Sequence, residues 1–324
     1  CNADGVQKAE QMCSLAAKEL GIHAQDVIVA STGVIGQPLP IEPIASHVRQ
    51  LTEALSADGS TDAAQAIMTT DTRIKEIAVE FSVDGTVCRI AAISKGSGMI
   101  HPNMATMLGF LTTDVNIKKS LLSQALSKVV KDTFNMVSVD GDTSTNDMVS
   151  IMASGLAGNK KIKEQGTPGY QAFYGALMEV CTYLARMMAK DGEGATKLIE
   201  CKVHGASSDE QAKIVAKSIV MSNLTKAAVF GADANWGRVL CAIGYAQTEV
   251  GVQKVDVTVE SKAGSILVCQ NGAGVAFDEA LAKKILLEEE IVIDVNLNSG
   301  KCEKTAYGCD LTYDYVKING DYRT

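Results

Sequence analysis

Two glycine-bearing loops and one hydroxyl define the chemistry this chain could do. Ser31-Thr32-Gly33-Val34-Ile35-Gly36 and Lys95-Gly96-Ser97-Gly98 fit neither GxxxxGK[ST] nor GxGxxG, and Pro38 and Pro40 interrupt the helix a nucleotide loop would need. Each reads either as a plain turn or as backbone N–H groups held close to a developing oxyanion. The second loop runs on through Met99-Ile-His-Pro-Asn-Met-Ala-Thr106-Met-Leu-Gly-Phe and delivers Thr106 at the start of an apolar strand. Thr106 reads either as an ordinary β-former or as a residue made N-terminal by scission of Ala105–Thr106. In the second case its own α-amine, with an ordinary pKa of about 7.7–8.0, could take the hydroxyl proton. No Ser-His-Asp set is evident. His101 would depart on the other fragment and reads as loop structure.

Three further segments carry polar groups. Ser138-Val-Asp140-Gly-Asp142-Thr143-Ser144-Thr145-Asn146-Asp147 lacks the spacing and closing Glu of a calcium loop and reads as a solvated turn entering a strand. Asp191-Gly-Glu193-Gly-Ala-Thr-Lys197 sets a carboxylate between two glycines, either an exposed turn acid or a clamp for a cationic amine. The tail, Tyr313-Asp-Tyr-Val-Lys-Ile-Asn319-Gly-Asp-Tyr-Arg-Thr324, alternates Tyr, Val and Ile before a polar end, which hints at a docked terminus. Trp236, the one tryptophan, reads as a packing anchor.

Elements able to position these residues alternate along the chain, as in a mixed α/β protein. Helical spacing covers Val6 to Leu20, about Ile41 to Leu55, Leu121 to Val130 and Tyr170 to Ala189. Asp26-Val-Ile-Val-Ala reads as a buried strand, Ile77–Val83 and Thr86–Ile93 as a hairpin turned at Asp84-Gly85, and Met107 to Leu111 as another strand. Further strands fall near Thr196 to Val203, Lys254 to Glu260 and Ile291 to Leu297, with helices between. A length of 324 residues suggests two domains, and the Asp191-Gly turn places their boundary near residue 190, giving parts 1–190 and 191–324.

Composition narrows the classes. Aromatics reach only 5%, so the core must be aliphatic, with Ala and Met. A formal net charge of −8 and the lack of any basic run argue against nucleic acid as a partner. Nine cysteines at irregular spacing, with no CxxC, support neither a disulfide framework nor a zinc ribbon and suit a reducing compartment, the cytoplasm. Four scattered histidines argue against a His-ligated metal. No stretch approaches the ~20 apolar residues of a membrane span, and no signal peptide is visible.

Taken in order, Ser-Thr-Gly-Val-Ile-Gly, Lys-Gly-Ser-Gly-Met-Ile-His-Pro-Asn-Met-Ala-Thr-Met-Leu, Asp-Gly-Asp-Thr-Ser-Thr-Asn-Asp, Asp-Gly-Glu-Gly-Ala-Thr-Lys, Asp-Ala-Asn-Trp-Gly-Arg and Asn-Gly-Asp-Tyr-Arg-Thr are more specific than any one alone. The chain closely resembles the ornithine acetyltransferase (glutamate N-acetyltransferase) family of arginine biosynthesis from Cys1 to Thr324. The resemblance implies an N-terminal-nucleophile-like layered α/β sandwich with a smaller C-terminal α/β part whose tail completes the active site. It implies a family segment preceding Cys1. It also implies autocatalytic cleavage between Ala105 and Thr106, giving an α chain 1–105 and a β chain 106–324, assembled as an oligomer of αβ units. Thr106 then becomes the nucleophile and acyl acceptor. The oxyanion donors fall on Thr32 and Gly33, and the substrate-contacting positions on Thr69, Lys95, Thr106, Glu193, Asn319 and Thr324. The implied reaction is ping-pong acetyl transfer from N-acetyl-L-ornithine to L-glutamate, with acetyl-CoA as a second donor it could accept and no metal or organic cofactor. Two rival readings stand beside it: a threonine-nucleophile aminopeptidase or amidase, and a non-enzymatic amino-acid-binding module in which Thr106 never becomes N-terminal.

Overall fold

The computed structural model describes residues 2–101 and 107–321. The chain opens with three helices, α1 (Gly5–Leu20), α2 (Glu42–Glu53) and α3 (Ser60–Ala66). The hairpin follows as β1 (Lys75–Val83) and β2 (Thr86–Lys95), turned at Asp84-Gly85, where both residues adopt positive φ. Then come β3 (Leu108–Thr113), α4 (Lys119–Asp132), β4 (Val137–Ser138), β5 (Met148–Ala153) and the long α5 (Pro168–Lys190). The remainder comprises β6 (Leu198–Ala206), α6 (Asp209–Met221), α7 (Asn223–Phe230), α8 (Trp236–Gly244), β7 (Asp256–Ser261), β8 (Gly264–Gln270), β9 (Ala273–Gly274), α9 (Glu279–Leu286), β10 (Glu290–Asn296), β11 (Cys302–Cys309) and α10 (Tyr313–Asp321).

Two sheets result. The smaller has the order β1-β2-β3-β5, antiparallel except for the parallel β3–β5 pair; the larger has the order β4-β11-β6-β10-β7-β8-β9. Helix α5 packs against both, touching β1 and β2 of one and β4, β6 and β11 of the other. It starts because Thr167 accepts the Tyr170 N–H and Pro168 fits the first turn, where no intrahelical donor is lost. Its Phe173, Leu177, Val180, Leu184 and Met188 recur at helical spacing and are fully buried, at roughly 1.5–3 kcal/mol each. The α/β alternation expected from the sequence is therefore what the chain adopts, around an aliphatic core. Trp236 packs against that core as the anchor its type suggests.

One expectation fails. Residues 27–30 form no strand: a single 3-10 turn covers Ala24–Asp26, and the chain continues unpaired with Ile28 59% exposed. An apolar β-branched run favours extended backbone, but a strand needs a neighbour to take its hydrogen bonds, and neither sheet offers one there among the described residues. The tail, for which only docking was expected, is a helix: α10 carries Tyr313–Asp321, with Tyr315 and Asn319 one turn apart on one face.

Register aligns the ends that matter. Lys95, the last residue of β2, pairs with Leu108, the first of β3, and Leu108 pairs with Met148, the first of β5. Lys75 opens β1 opposite Ser94. One end of the smaller sheet therefore gathers the approach to β1, the exit of β2 and the entries of β3 and β5.

Candidate active site

A cleft of about 410 Å³ opens at that end of the sheet. Its walls include Thr32, Gly33, Thr69, Lys95, Glu193 and Asn319, drawn from five separate stretches of chain. These are all of the expected site residues within the described part of the molecule. Ala105, Thr106 and Thr324 lie outside the described residues. His101, read as loop structure, sits close by with its ring Nδ1 3.2 Å from the Ser138 hydroxyl; burial, helped by Lys217, pulls its pKa down to about 4, so the ring is neutral.

Lys95 is only 6% exposed, and its Nζ donates to the Thr69 hydroxyl at 3.1 Å. Burial pushes its pKa below the usual lysine range; Asp71, Asp147 and Glu193 oppose that shift, while Lys75 adds to it. A buried ammonium with one neutral hydrogen-bond partner among the described residues is poised for an anionic ligand, because desolvation has already been met by the fold.

What holds Lys95 in place is a chain of buried charge that sequence reading missed. Lys75, fully buried, donates to Asp71 Oδ1 and to Asp191 Oδ2, each at 2.6 Å. Asp71 also accepts the Gly96 N–H at 2.7 Å and the Thr69 N–H at 3.2 Å. Burial raises the Asp71 pKa, but the Lys75 charge and these donors outweigh it and leave the carboxyl below its ordinary value. Asp191 in turn accepts from the Thr72 hydroxyl and from the N–H groups of Thr72 and Arg73. Together the two aspartates tie the loop before β1, the loop after β2 and the end of α5 to one ammonium. Asp191 stood in the quoted Asp191-Gly-Glu193 motif, but no spacing rule connects it to Lys75, 116 residues away.

Glu193 is 7% exposed, so the alternative of an exposed turn acid is excluded. Its N–H donates to the Ser97 carbonyl at 2.9 Å, locking it to the second glycine loop. Its carboxylate lies over Gly98, where any Cβ would overlap it, and that close approach explains the glycine. Asn319 Nδ2 donates to Glu193 Oε2 at 2.8 Å, bringing α10 onto the cleft. Gly194, at φ +68°, makes this docking possible: a Cβ there would sit 2.5 Å from the Tyr315 backbone nitrogen. The Thr312 hydroxyl adds a bond to the Gly194 carbonyl at 2.6 Å.

The acidic loop differs from the solvated turn expected of it. Asp140 accepts the Met99 N–H at 2.6 Å, which fixes Met99 at φ +53° on the cleft wall. Burial raises the Asp140 pKa, and burial, with Asp140 and Glu193 nearby, raises that of Tyr315. Asp142 is exposed, as a turn acid should be, whereas both carboxylate oxygens of Asp147 are shielded from solvent. Thr70 and Ser97, also missed, share a hydroxyl–hydroxyl bond of 2.7 Å beneath Thr69. A lysine, a carboxylate, an amide and hydroxyls thus face one cleft, a set suited to a zwitterionic amino acid and its acyl derivative.

Comparison with known proteins agrees. The ArgJ family matches residues 1–324. The chain is 53% identical over 321 residues to arginine biosynthesis bifunctional protein ArgJ 1 of Clostridium acetobutylicum, covering 99% of this chain and 78% of that protein. It is 48% identical over 322 residues to the ArgJ bifunctional protein of Geobacillus stearothermophilus, covering 99% and 77% respectively. The crystal structure of the Bacillus halodurans ArgJ bifunctional protein superimposes with a TM-score of 0.64 at 49% identity, covering 67% of this chain and all of that one.

Proposed function

This chain belongs to the ArgJ family, and we propose that it moves an acetyl group from N-acetyl-L-ornithine to L-glutamate through an acetyl ester on Thr106. It is an acyltransferase of arginine biosynthesis. The reading begins with scission of Ala105–Thr106, which frees the Thr106 α-amine. That amine takes the Thr106 hydroxyl proton as Oγ attacks the acetyl carbonyl; a C–O bond forms and the carbonyl π pair moves to oxygen. Thr32 and the Gly33 N–H receive the oxyanion, at a typical ~3 kcal/mol per donor. Collapse breaks the C–N bond, and the ammonium returns its proton to the leaving ornithine nitrogen. L-Glutamate then attacks the ester by the same steps in reverse order, giving N-acetyl-L-glutamate and free Thr106.

Charge assigns the substrate ends. Lys95, with Thr69 beside it, suits the α-carboxylate, and Glu193, oriented by Asn319, suits the side-chain ammonium of ornithine. Thr324 joins them in this reading as a second hydrogen-bonding group from the tail. The acetyl group is carried on protein, so the proposal needs no metal or organic cofactor. Acetyl-CoA as a second donor, an oligomer of αβ units and a cytoplasmic setting complete it. Among the described residues no helix is long and apolar enough to cross a membrane.

The observation that carries this reading is the convergence of six residues from five separate stretches on one cleft, at the sheet end where β3 begins two residues after Thr106. Assay of purified protein with N-acetyl-L-ornithine, with and without L-glutamate, tests it. Formation of N-acetyl-L-glutamate is expected. Release of free acetate at an equal rate in both mixtures favours the amidase reading instead.

A further inference from the structure

The two charged groups that face a substrate's ends, Lys95 and Glu193, stand on different elements, one closing β2 and the other just past α5. A closed ring of buried contacts joins them. Lys75 Nζ donates to Asp71 Oδ1 and Asp191 Oδ2, each at 2.6 Å, and to the Arg73 carbonyl at 3.4 Å, so all three of its donors are used. Asp71 accepts the N–H of Gly96, the neighbour of Lys95, at 2.7 Å. It also accepts the Thr69 N–H at 3.2 Å, and the Thr69 hydroxyl meets Lys95 Nζ. The ring closes through Ser97, whose carbonyl accepts the Glu193 N–H at 2.9 Å, and through the short link from Glu193 back to Asp191. Asp71, Lys75, Lys95, Ser97, Asp191 and Glu193 are all buried, none more than 8% exposed.

Neither end of the gap can yield alone. Moving the end of β2 breaks the bond from Gly96 to Asp71, and moving Glu193 breaks its bond to Ser97 or draws Asp191 away from Lys75. The Glu193 carboxylate has no room to retreat: a Cβ on Gly98 would lie 2.2 Å from it, and Asn319 Nδ2 holds it at 2.8 Å. Buried ion pairs commonly stabilise a fold no more than apolar side chains of equal volume, so stability alone gives no reason for these charges. Resting on the substrate assignment above, we propose that Asp71, Lys75 and Asp191 are positioning residues that fix the gap between Lys95 and Glu193 and so select the diamino acid by chain length. Ornithine places three methylenes between its α-carbon and its ammonium. With the carboxylate on Lys95 and the ammonium on Glu193, one methylene more forces the chain to buckle, and one fewer leaves a charge unpaired. Such a misfit costs about 10- to 200-fold in kcat/KM.

The experiment measures kcat and KM for three acetyl donors at a fixed concentration of L-glutamate, in the wild type, Asp71→Asn and Asp191→Asn. The donors are N-acetyl-L-ornithine, the longer Nα-acetyl-L-lysine and the shorter Nα-acetyl-L-2,4-diaminobutyrate. Each substitution keeps the shape of the side chain and removes one ion pair from the ring. The wild type is expected to prefer the ornithine derivative over either homologue by about tenfold or more in kcat/KM. In each variant that preference shrinks by about threefold or more, the change carried mainly by KM. A role confined to stability lowers the folded fraction instead, which scales all three donors alike and leaves the preference intact.

A wild type that does not prefer the ornithine derivative overturns the proposal, as does an unchanged preference in every variant that folds. If both aspartate variants fail to fold, Thr72→Val decides, since it removes only the hydroxyl that donates to Asp191. A smaller loss of preference there supports the assignment, and a preference equal to the wild type's overturns it. A wild type that transfers acetyl from none of the three donors refutes the substrate reading itself, a distinguishable failure.

Discussion

The cleft at the end of the smaller sheet and the hollow of about 580 Å³ on the larger one both collect acids and bases, but they stand differently toward solvent. In the hollow, Arg186 reaches Glu200 at 2.6 Å and Glu290 at 3.1 Å, and Lys190 reaches Glu290 at 2.6 Å. Arg186 keeps 40% of its side chain exposed and Glu290 48%. Hydrogen bonding from Lys190 lowers the Glu290 pKa, yet water screens each pair, and such pairs contribute about 0–1 kcal/mol. Beneath the cleft, by contrast, Lys75 and Asp191 expose 0% and 2% of their side chains, and the Asp71 and Asp191 carboxylates accept backbone N–H groups from the loops before β1 and after β2. The two regions show that charge alone marks no site. Charge that the fold has stripped of water and fixed by several strands' worth of backbone is what can read a zwitterion.

The largest expected effect is at the proposed nucleophile. Thr106→Ala should abolish both cleavage and transfer, leaving a single band on denaturing gels and a rate at least about a thousandfold lower. Two bands with undiminished turnover would break the contrast at its root. Next is the buried brace. Lys75→Met strands Asp71 and Asp191 without their cation, and chemical denaturation should show a loss of about 3–5 kcal/mol. The pH sign follows from the lowered Asp71 pKa: its contribution is full above the ordinary carboxylate value of 3.8 and fades as pH falls through the folded-state value below it. Lys75→Met should flatten that acid limb of stability.

Gly98→Ala sharpens the comparison inside the cleft. The new methyl displaces the Glu193 carboxylate, so KM for N-acetyl-L-ornithine should rise about tenfold, or about 1.4 kcal/mol, with Glu193→Gln giving a similar rise. An unchanged KM in both would remove Glu193 from the substrate. The smallest effect belongs to the hollow: Arg186→Ala should cost at most about 1 kcal/mol and leave transfer kinetics unaltered.

The positions that meet at the cleft were more legible in the sequence than the scaffold around them. Thr32, Gly33, Lys95, Glu193 and Asn319 stand in short ordered motifs, Thr69 came only with the family resemblance, and the fold brings all six to one cleft. Hairpin and long helices were also legible, because turn chemistry at Asp84-Gly85 and helical spacing along α5 are local signals. Residues 27–30 misled because apolarity is local while sheet pairing is not. The tail was legible only as a hint of docking; its helical form and its close approach to Gly194 left no signal in the alternation of Tyr, Val and Ile. Asp71, Lys75 and Asp191 left no trace in spacing, since their partnership exists only after three loops converge.

The central claim is that one threonine supplies both the attacking oxygen and the amine that activates it. Mass spectrometry of the protein mixed with N-acetyl-L-ornithine, quenched and then chased with L-glutamate, tests it most directly. A chain beginning Thr-Met-Leu-Gly should gain one acetyl mass on its first residue and lose it, as N-acetyl-L-glutamate, in the chase. Steady transfer by a chain uncut between residues 105 and 106, or an acetyl group found on any other residue, would contradict the account.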